Sequence, residues 1–328
     1  MRKDITYNNI IDSDEARVAQ AAADAGANLP ADQIDARRFY ITQHFHKYTR
    51  ENHEVWRDLF TRRWAVLEEQ VSQTFIDGLK ILRLSPERIP LLVDTTLSQD
   101  CTITGGVVLP KGTRLEGINR YLGEVSDWAS YGVPGYLPAK SFFACLAARQ
   151  FPTTVLIRPR EVMDYLPEPD IFHDVFGHVP LHASRVFADF LQTYGRAALL
   201  CEDPIHIERL GRLFWFTVEF GLIKEEGRVK VYGSGLVSSH GEAAYSLTGA
   251  WEKKPDGPES AKPCSERPVP EWRPFDMERV CNTPFDIDHY QPIYYVLESF
   301  EQLRDAMNEY AEQVIGSAAL SRVTVGAH

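Results

Sequence analysis

The stretch from Pro167 to Pro180, Pro-Glu-Pro-Asp-Ile-Phe-His-Asp-Val-Phe-Gly-His-Val-Pro, sets His173 and His178 in an apolar run. Uncommitted imidazoles are hard to solvate there, and a neutral imidazole is a ready metal ligand. Further along, the run from Leu213 to Ile223 is apolar except for Thr217 and a single carboxylate, Glu219. An ionised carboxylate in such surroundings costs on the order of several kcal/mol unless it is paired, hydrogen-bonded or bound to a metal. Two imidazoles and one carboxylate are the donor set that holds non-haem Fe(II) while leaving positions for oxygen and substrate.

The spacing needs explaining. On an ideal α-helix, residues five apart are rotated by about 140°. His173 and His178 therefore converge only if the helix ends between them, and Gly177 and Pro180 favour such a break. His178 and His182 form a competing pair four residues apart, but Pro180 lies between them and disfavours one continuous helix. The first pair is preferred. Two further readings stay open on spacing alone. The histidines could be satisfied core residues, with Glu219 paired to Arg158 or Arg212. A catalytic zinc could sit on the same three side chains, with Asp174 as general base. Structural zinc is not indicated, because neither histidine has a cysteine nearby.

These residues must be positioned by helices. From His53 to Leu82 apolar residues recur at helical spacing, predicting one long helix or two joined near Gly78. Further helices are expected at 139–150, 170–177, 180–200 and 205–222, and from Ser299 to about Val314. Asp170 stands where an N-cap belongs, and Pro180 where a helix can restart. Segment 99–134 reads as short strands, 228–238 as a strand pair around Gly233 and Gly235, and the proline-rich 252–272 as an exposed loop. Residues 1–35 are polar and read as a flexible arm, 36–315 as one mainly helical domain with minor β structure, and 316–328 as a tail.

The chain has 328 residues, 44% hydrophobic and 25% charged, with a formal net charge of −11. That is globular composition, and the acidic balance argues against a nucleic-acid partner. The 5 cysteines are scattered, with no CxxC pair, as expected of reduced thiols in a cytoplasm. No membrane segment is expected, since the longest apolar runs are short and one carries Glu219.

At the residues already singled out, the sequence resembles the tetrahydrobiopterin-dependent aromatic amino acid hydroxylases. The resemblance rests on Glu168 to Pro180, Trp215 to Leu222, Tyr232 to Ser239 and Tyr290 to Phe300, with Tyr48, Thr49, Glu51 and Trp56 at the start of the domain. It implies an aromatic amino acid hydroxylase-type catalytic domain in which His173, His178 and Glu219 bind Fe(II). It also implies a tetrahydropterin cofactor, O2 as cosubstrate and a small aromatic amino acid as substrate. Arg158 matches the clamp on the substrate carboxylate, a role suited to a bidentate guanidinium. Pro167 and Trp215 match walls of the ring pocket, and Val296 a further pocket position. Ser238 and Glu242 match residues that steady an iron-bound histidine and the substrate side. Gly135, Tyr136 and Leu137 match the pterin-side loop, Phe142 the aromatic stacked on the pterin, and Asp174 a further pterin-side residue.

Pocket positions give mixed signals on the ring. By the resemblance, Trp215 is of the phenylalanine- and tyrosine-hydroxylating type, and as an indole wall it should exclude a larger ring. Val296 is of the phenylalanine-hydroxylating type, where tyrosine hydroxylases carry an aspartate; Tyr136 is a tryptophan-hydroxylating feature. Phenylalanine oxidised at the 4-position is the expectation. Tryptophan at the 5-position and phenylalanine at the 3-position are the family alternatives, and a zinc hydrolase is the remote one. Asp174 and Leu166 fit the bacterial branch. Phe214 stands where tyrosine is usual beside the iron, and segment 94–134 is longer than the family pattern. Without a regulatory domain or a heptad tail, a monomer is expected.

Overall fold

The computed structural model describes residues 10–93, 117–163, 169–251 and 262–316. The expected fold class holds: helices dominate, with a two-stranded and a four-stranded sheet.

The stretch expected as a flexible arm contains a helix, α1 (Ser13–Gly26), while its residues 1–9 lie outside the described residues. Asp12 caps α1, accepting from the backbone N–H groups of Asp14 and Glu15 at 3.0 Å each. Its buried side consists of Ala19, Ala23 and Gly26, which lets it lie close to Phe39 and Ser141. The Ser141 hydroxyl donates to the Ala23 carbonyl at 2.7 Å. Alanine and glycine leave no stripe of large apolar residues for a sequence reading to find.

The long helical pattern divides into α2 (Arg50–Gln70) and α3 (Gln73–Ile81). The join is at Val71 and Ser72, not Gly78. The Ser72 backbone N–H leaves the helical pattern for the Val231 carbonyl at 2.9 Å, and the Ser72 hydroxyl caps α3. Gly78 serves close packing instead. A Cβ there would stand 2.0 Å from the Pro180 carbonyl oxygen, so α3 crosses the chain at bare backbone.

The expected strands over 99–134 are only partly present. Positions 94–116 lie outside the described residues, and the next segment is a helix, α4 (Ile118–Val125). β1 (Ala129–Val133) then pairs in parallel with β2 (Gln150–Thr154), across α5 (Ala139–Ala147). The helix predicted to reach residue 150 stops at Ala147, since Arg149 takes a left-handed backbone with φ of 56°.

A π-helix, π1 (Phe172–His178), continues into the short α6 (Val179–His182), followed by α7 (Arg185–Leu200) and α8 (Pro204–Phe214). A second π-helix, π2 (Trp215–Glu219), extends α8. β3 (Leu222–Glu225) and β4 (Arg228–Val231) form a hairpin whose turn residues Glu226 and Gly227 both have positive φ, 49° and 77°. The strand pair expected over 228–238 is thus displaced: β4 pairs upstream, and Ser234–Ser238 is a helix, α9. Gly233 is needed for proximity, because a Cβ there would meet the Glu219 carbonyl oxygen at 2.4 Å. After α10 (His240–Thr248) come β5 (Glu271–Pro274), α11 (Met277–Asn282), β6 (Ile293–Leu297) and α12 (Phe300–Ile315). Strand order in the larger sheet is β4-β3-β6-β5. The exposed loop expected over 252–272 lies partly outside the described residues, and its end enters β5.

Candidate metal centre

The five-residue spacing of the two histidines is answered by π1. A π-helix bonds i to i+5, so residues five apart come round to one side. The helix therefore does not end between His173 and His178, contrary to the break expected at Gly177. On its other side, Phe172 and Phe176 stack with centroids 4.7 Å apart. Phe172 meets Trp56 at 5.5 Å, and Phe176 meets Phe60 at 5.1 Å and Phe75 at 5.8 Å. Aromatics of α2 and α3 thus grip one face of π1 while the other carries the imidazoles. Gly177 allows the approach of α9, since a Cβ there would stand 3.1 Å from the Ser234 carbonyl oxygen.

Glu219 ends π2 and reaches the same point. His178 Nε2 lies 3.2 Å from His173 Nε2 and 3.2 Å from Glu219 Oε1, and His173 Nε2 lies 3.7 Å from Glu219 Oε2. These three form the one candidate metal-binding group among the described residues. Donors held about 2.1 Å from a single ion at right angles stand about 3 Å apart, so the geometry suits one small cation bound from one side.

The surrounding hydrogen bonds set the protonation. Ser238 Oγ donates to the Ser234 carbonyl at 2.7 Å, so at 3.0 Å from His173 Nδ1 it can only accept. His173 is thereby held as the Nδ1–H tautomer, with its Nε2 lone pair facing Glu219. Burial lowers the His173 pKa below its ordinary value, against the pull of the Glu219 carboxylate. Burial pushes the Glu219 carboxyl up, but His178, His173 and a 2.8 Å hydrogen bond from Ser234 Oγ outweigh it and hold the pKa at about 2. A neutral imidazole and an ionised carboxylate are the protonation states a divalent ion requires.

The arginine partner that the core-histidine reading expects for Glu219 is not supplied by either candidate. Arg158 is committed to Asp170 and Arg212 to Glu208, not to Glu219. His182 is fully buried among Trp128, Phe151 and Phe187, outside the triad, and burial drives its pKa well down.

Arg158 and Asp170 form a buried fork, Nε to Oδ2 and Nη2 to Oδ1 at 2.8 Å each, with a third bond from Arg158 Nη1 to the Met163 carbonyl. Asp170 also accepts from the backbone N–H of His173 at 3.0 Å, tying the arginine to the start of π1. Burial raises the Asp170 pKa, but the guanidinium outweighs it and the net shift is downward. Asp174 Oδ2 accepts from the backbone and hydroxyl of Thr154 at 2.7 Å each, joining π1 to β2.

Phe142 is half-buried, edge-on to Phe214 at 5.7 Å, and Phe214 in turn lies 6.4 Å from the His178 ring. Gly135, Tyr136 and Leu137 lie in the loop between β1 and α5, where the exposed Tyr136 offers its carbonyl to Gln20 of α1. Val296 sits in β6 opposite Leu222. Trp215 opens π2 and stacks on Phe285 at 4.3 Å. Glu242 is buried under Tyr294 and the Gln291 backbone. Pro167 lies outside the described residues. Sequence reasoning missed Ser234, Thr154 and Gln291, and gave Asp170 only a capping role. Asp170, Ser234 and Gln291 fall inside stretches that carry the resemblance, but their partners, like that of Thr154, are distant in sequence, so no local signal marked these roles.

The model of the family described as biopterin-dependent aromatic amino acid hydroxylase matches residues 43–320. A phenylalanine-4-hydroxylase of Ralstonia nicotianae is 35% identical over 268 residues, covering 82% of this chain and 72% of the relative. One from Vibrio cholerae is 36% identical, covering 80% and 77%. The crystal structure of phenylalanine hydroxylase from Chromobacterium violaceum with iron(III) and 7,8-dihydrobiopterin superposes with a TM-score of 0.67 at 33% identity, covering 85% of this chain and 87% of that one. The chain belongs to the biopterin-dependent aromatic amino acid hydroxylase family.

Proposed function

We propose that this chain is a phenylalanine 4-monooxygenase that converts L-phenylalanine to L-tyrosine with O2, a tetrahydropterin and Fe(II) held by His173, His178 and Glu219. The observation that carries the reading is the convergence of these three side chains, with His173 held in the metal-ready tautomer by Ser238. Iron and reduced pterin, when bound, supply the oxygen chemistry, and the protein supplies position and a dry site. Arg158, braced by Asp170, holds the substrate carboxylate. Trp215 and Val296 bound the ring pocket, and the Trp215 indole wall favours phenyl over the larger indole. Phe142 packs against the pterin, with 135–137 and Asp174 on the same side. Ser238 and Glu242 fix the histidine and the pocket floor.

Product analysis tests the reading: iron, a reduced pterin and O2 are supplied with competing phenylalanine, tyrosine and tryptophan. Tyrosine from phenylalanine is the expected product. Mainly 5-hydroxytryptophan, or 3-hydroxylated phenylalanine, overturns the substrate or the ring position, and pterin-free turnover without oxygen overturns the chemistry. A cytoplasmic monomer completes the proposal. Four free cysteines among the described residues fit a reducing compartment, no helix among them is long and apolar enough to cross a membrane, and sedimentation reads the assembly state.

A further inference from the structure

We infer that Gln291 is a specificity-positioning residue that locks the Trp215 indole in place. The inference rests on the reading above that Trp215 bounds the ring pocket. Trp215 and Glu219 begin and end π2, and the Phe220 N–H to Trp215 carbonyl bond at 2.9 Å closes that turn. The indole is therefore carried by the same turn as a metal-site carboxylate, and any swing of its ring changes the pocket next to the reacting centre.

Three contacts hold the ring. Phe285 stacks on it at 4.3 Å and 13°, Phe220 packs at 4.6 Å, and the indole Nε1–H donates to Gln291 Oε1 at 3.0 Å. Gln291 is 1% exposed, and both ends of its amide are used. Its Nε2 donates to the carbonyls of Asp286 at 2.9 Å and His289 at 3.3 Å, while its backbone N–H donates to Glu242 at 3.0 Å. Flipping the amide would set donor against donor at Trp215 and acceptor against acceptor at both carbonyls. Gln291 thus closes the loop that bears Phe285 and aims one oxygen at the indole.

The test is a double-mutant cycle on the iron- and pterin-loaded enzyme, reading kcat/KM for phenylalanine and for tryptophan, with iron content and thermal midpoint alongside. Gln291→Leu keeps the backbone bond to Glu242 and removes the clamp. Its phenylalanine-over-tryptophan ratio is expected to fall about tenfold, chiefly through a higher KM for phenylalanine, with iron content unchanged. In Trp215→Phe, which lacks the indole N–H, adding Gln291→Leu should not lower the ratio further. Phe285→Leu, at the exposed side of the stack, should shift the ratio in the same direction by less. A ratio unchanged in both Gln291→Leu and Phe285→Leu, or effects of Gln291→Leu and Trp215→Phe that multiply, overturns the clamp. If wild-type enzyme prefers tryptophan, the substrate reading fails and the clamp with it; a wild-type preference for phenylalanine with unaltered variants removes the clamp alone.

Discussion

The triad and the indole wall share the π2 turn yet stand on different foundations. His173 and His178 project from π1, whose opposite face is gripped by Trp56, Phe60 and Phe75. Trp215 leans instead on a loop that ends in Gln291 and carries Phe285, 36% exposed, and Ile287, 71% exposed. Aromatic packing fixes the metal side as rigidly as the core itself. On the proposed reading, the specificity side is held by a few hydrogen bonds and two incompletely buried rings, Phe220 and Phe285, so it can change with a single substitution while the chemistry persists. Metal affinity and ring preference should therefore be separable.

The largest effect should come from Glu219→Ala. Iron content measured after reconstitution should fall to background and tyrosine formation with it, because two imidazoles alone leave a divalent ion without its charge partner. Retained stoichiometric iron would place the metal elsewhere. Next is Gly78→Ala, which sets a Cβ at 2.0 Å from the Pro180 carbonyl and forces α3 away from the chain just after π1. Thermal or denaturant unfolding should show a loss of about 1–3 kcal/mol, and an unaltered midpoint would mean that the metal side is more pliant than its packing implies.

Ser238→Ala removes the acceptor that fixes the His173 tautomer. Iron affinity should weaken about 10- to 100-fold, with the phenylalanine-over-tryptophan ratio unchanged; a shift in the ratio would merge the two sides that the comparison separates. The smallest effect is expected from Glu242. Burial raises its carboxyl pKa to about 7, although the Gln291 N–H and the Tyr294 hydroxyl pull it down. A folded-state value above the unfolded one means that the group favours folding below about pH 4.5. That contribution declines as pH rises through about 7, where the native state must release the proton. Thermal midpoints followed from pH 5 to 8 should decline more steeply in wild type than in Glu242→Gln. Parallel curves would show that Glu242 is ionised throughout.

Much of the metal side was legible in the sequence, whereas the wall residues came only through the resemblance and what holds Trp215 in place was not legible. Two histidines and a glutamate in apolar runs advertise themselves, because their burial is costly without a shared ligand. Their geometry was not legible: α-helical periodicity put His173 and His178 on different faces, and only the wider π turn reconciles them. The α1 helix escaped notice because alanines do its packing, and α9 because Gly233 and Gly235 look like turn residues when they serve close approach. The roles of Gln291, Ser234 and Thr154 depend on partners 76, 15 and 20 residues away. Pairings of that reach are set by tertiary packing, which leaves no local pattern.

The most direct test is anomalous diffraction at the iron edge from iron-loaded crystals. One peak is predicted, about 2.0–2.2 Å from His173 Nε2, His178 Nε2 and a Glu219 oxygen. A peak bound by other residues, or none at full iron loading, would contradict the account.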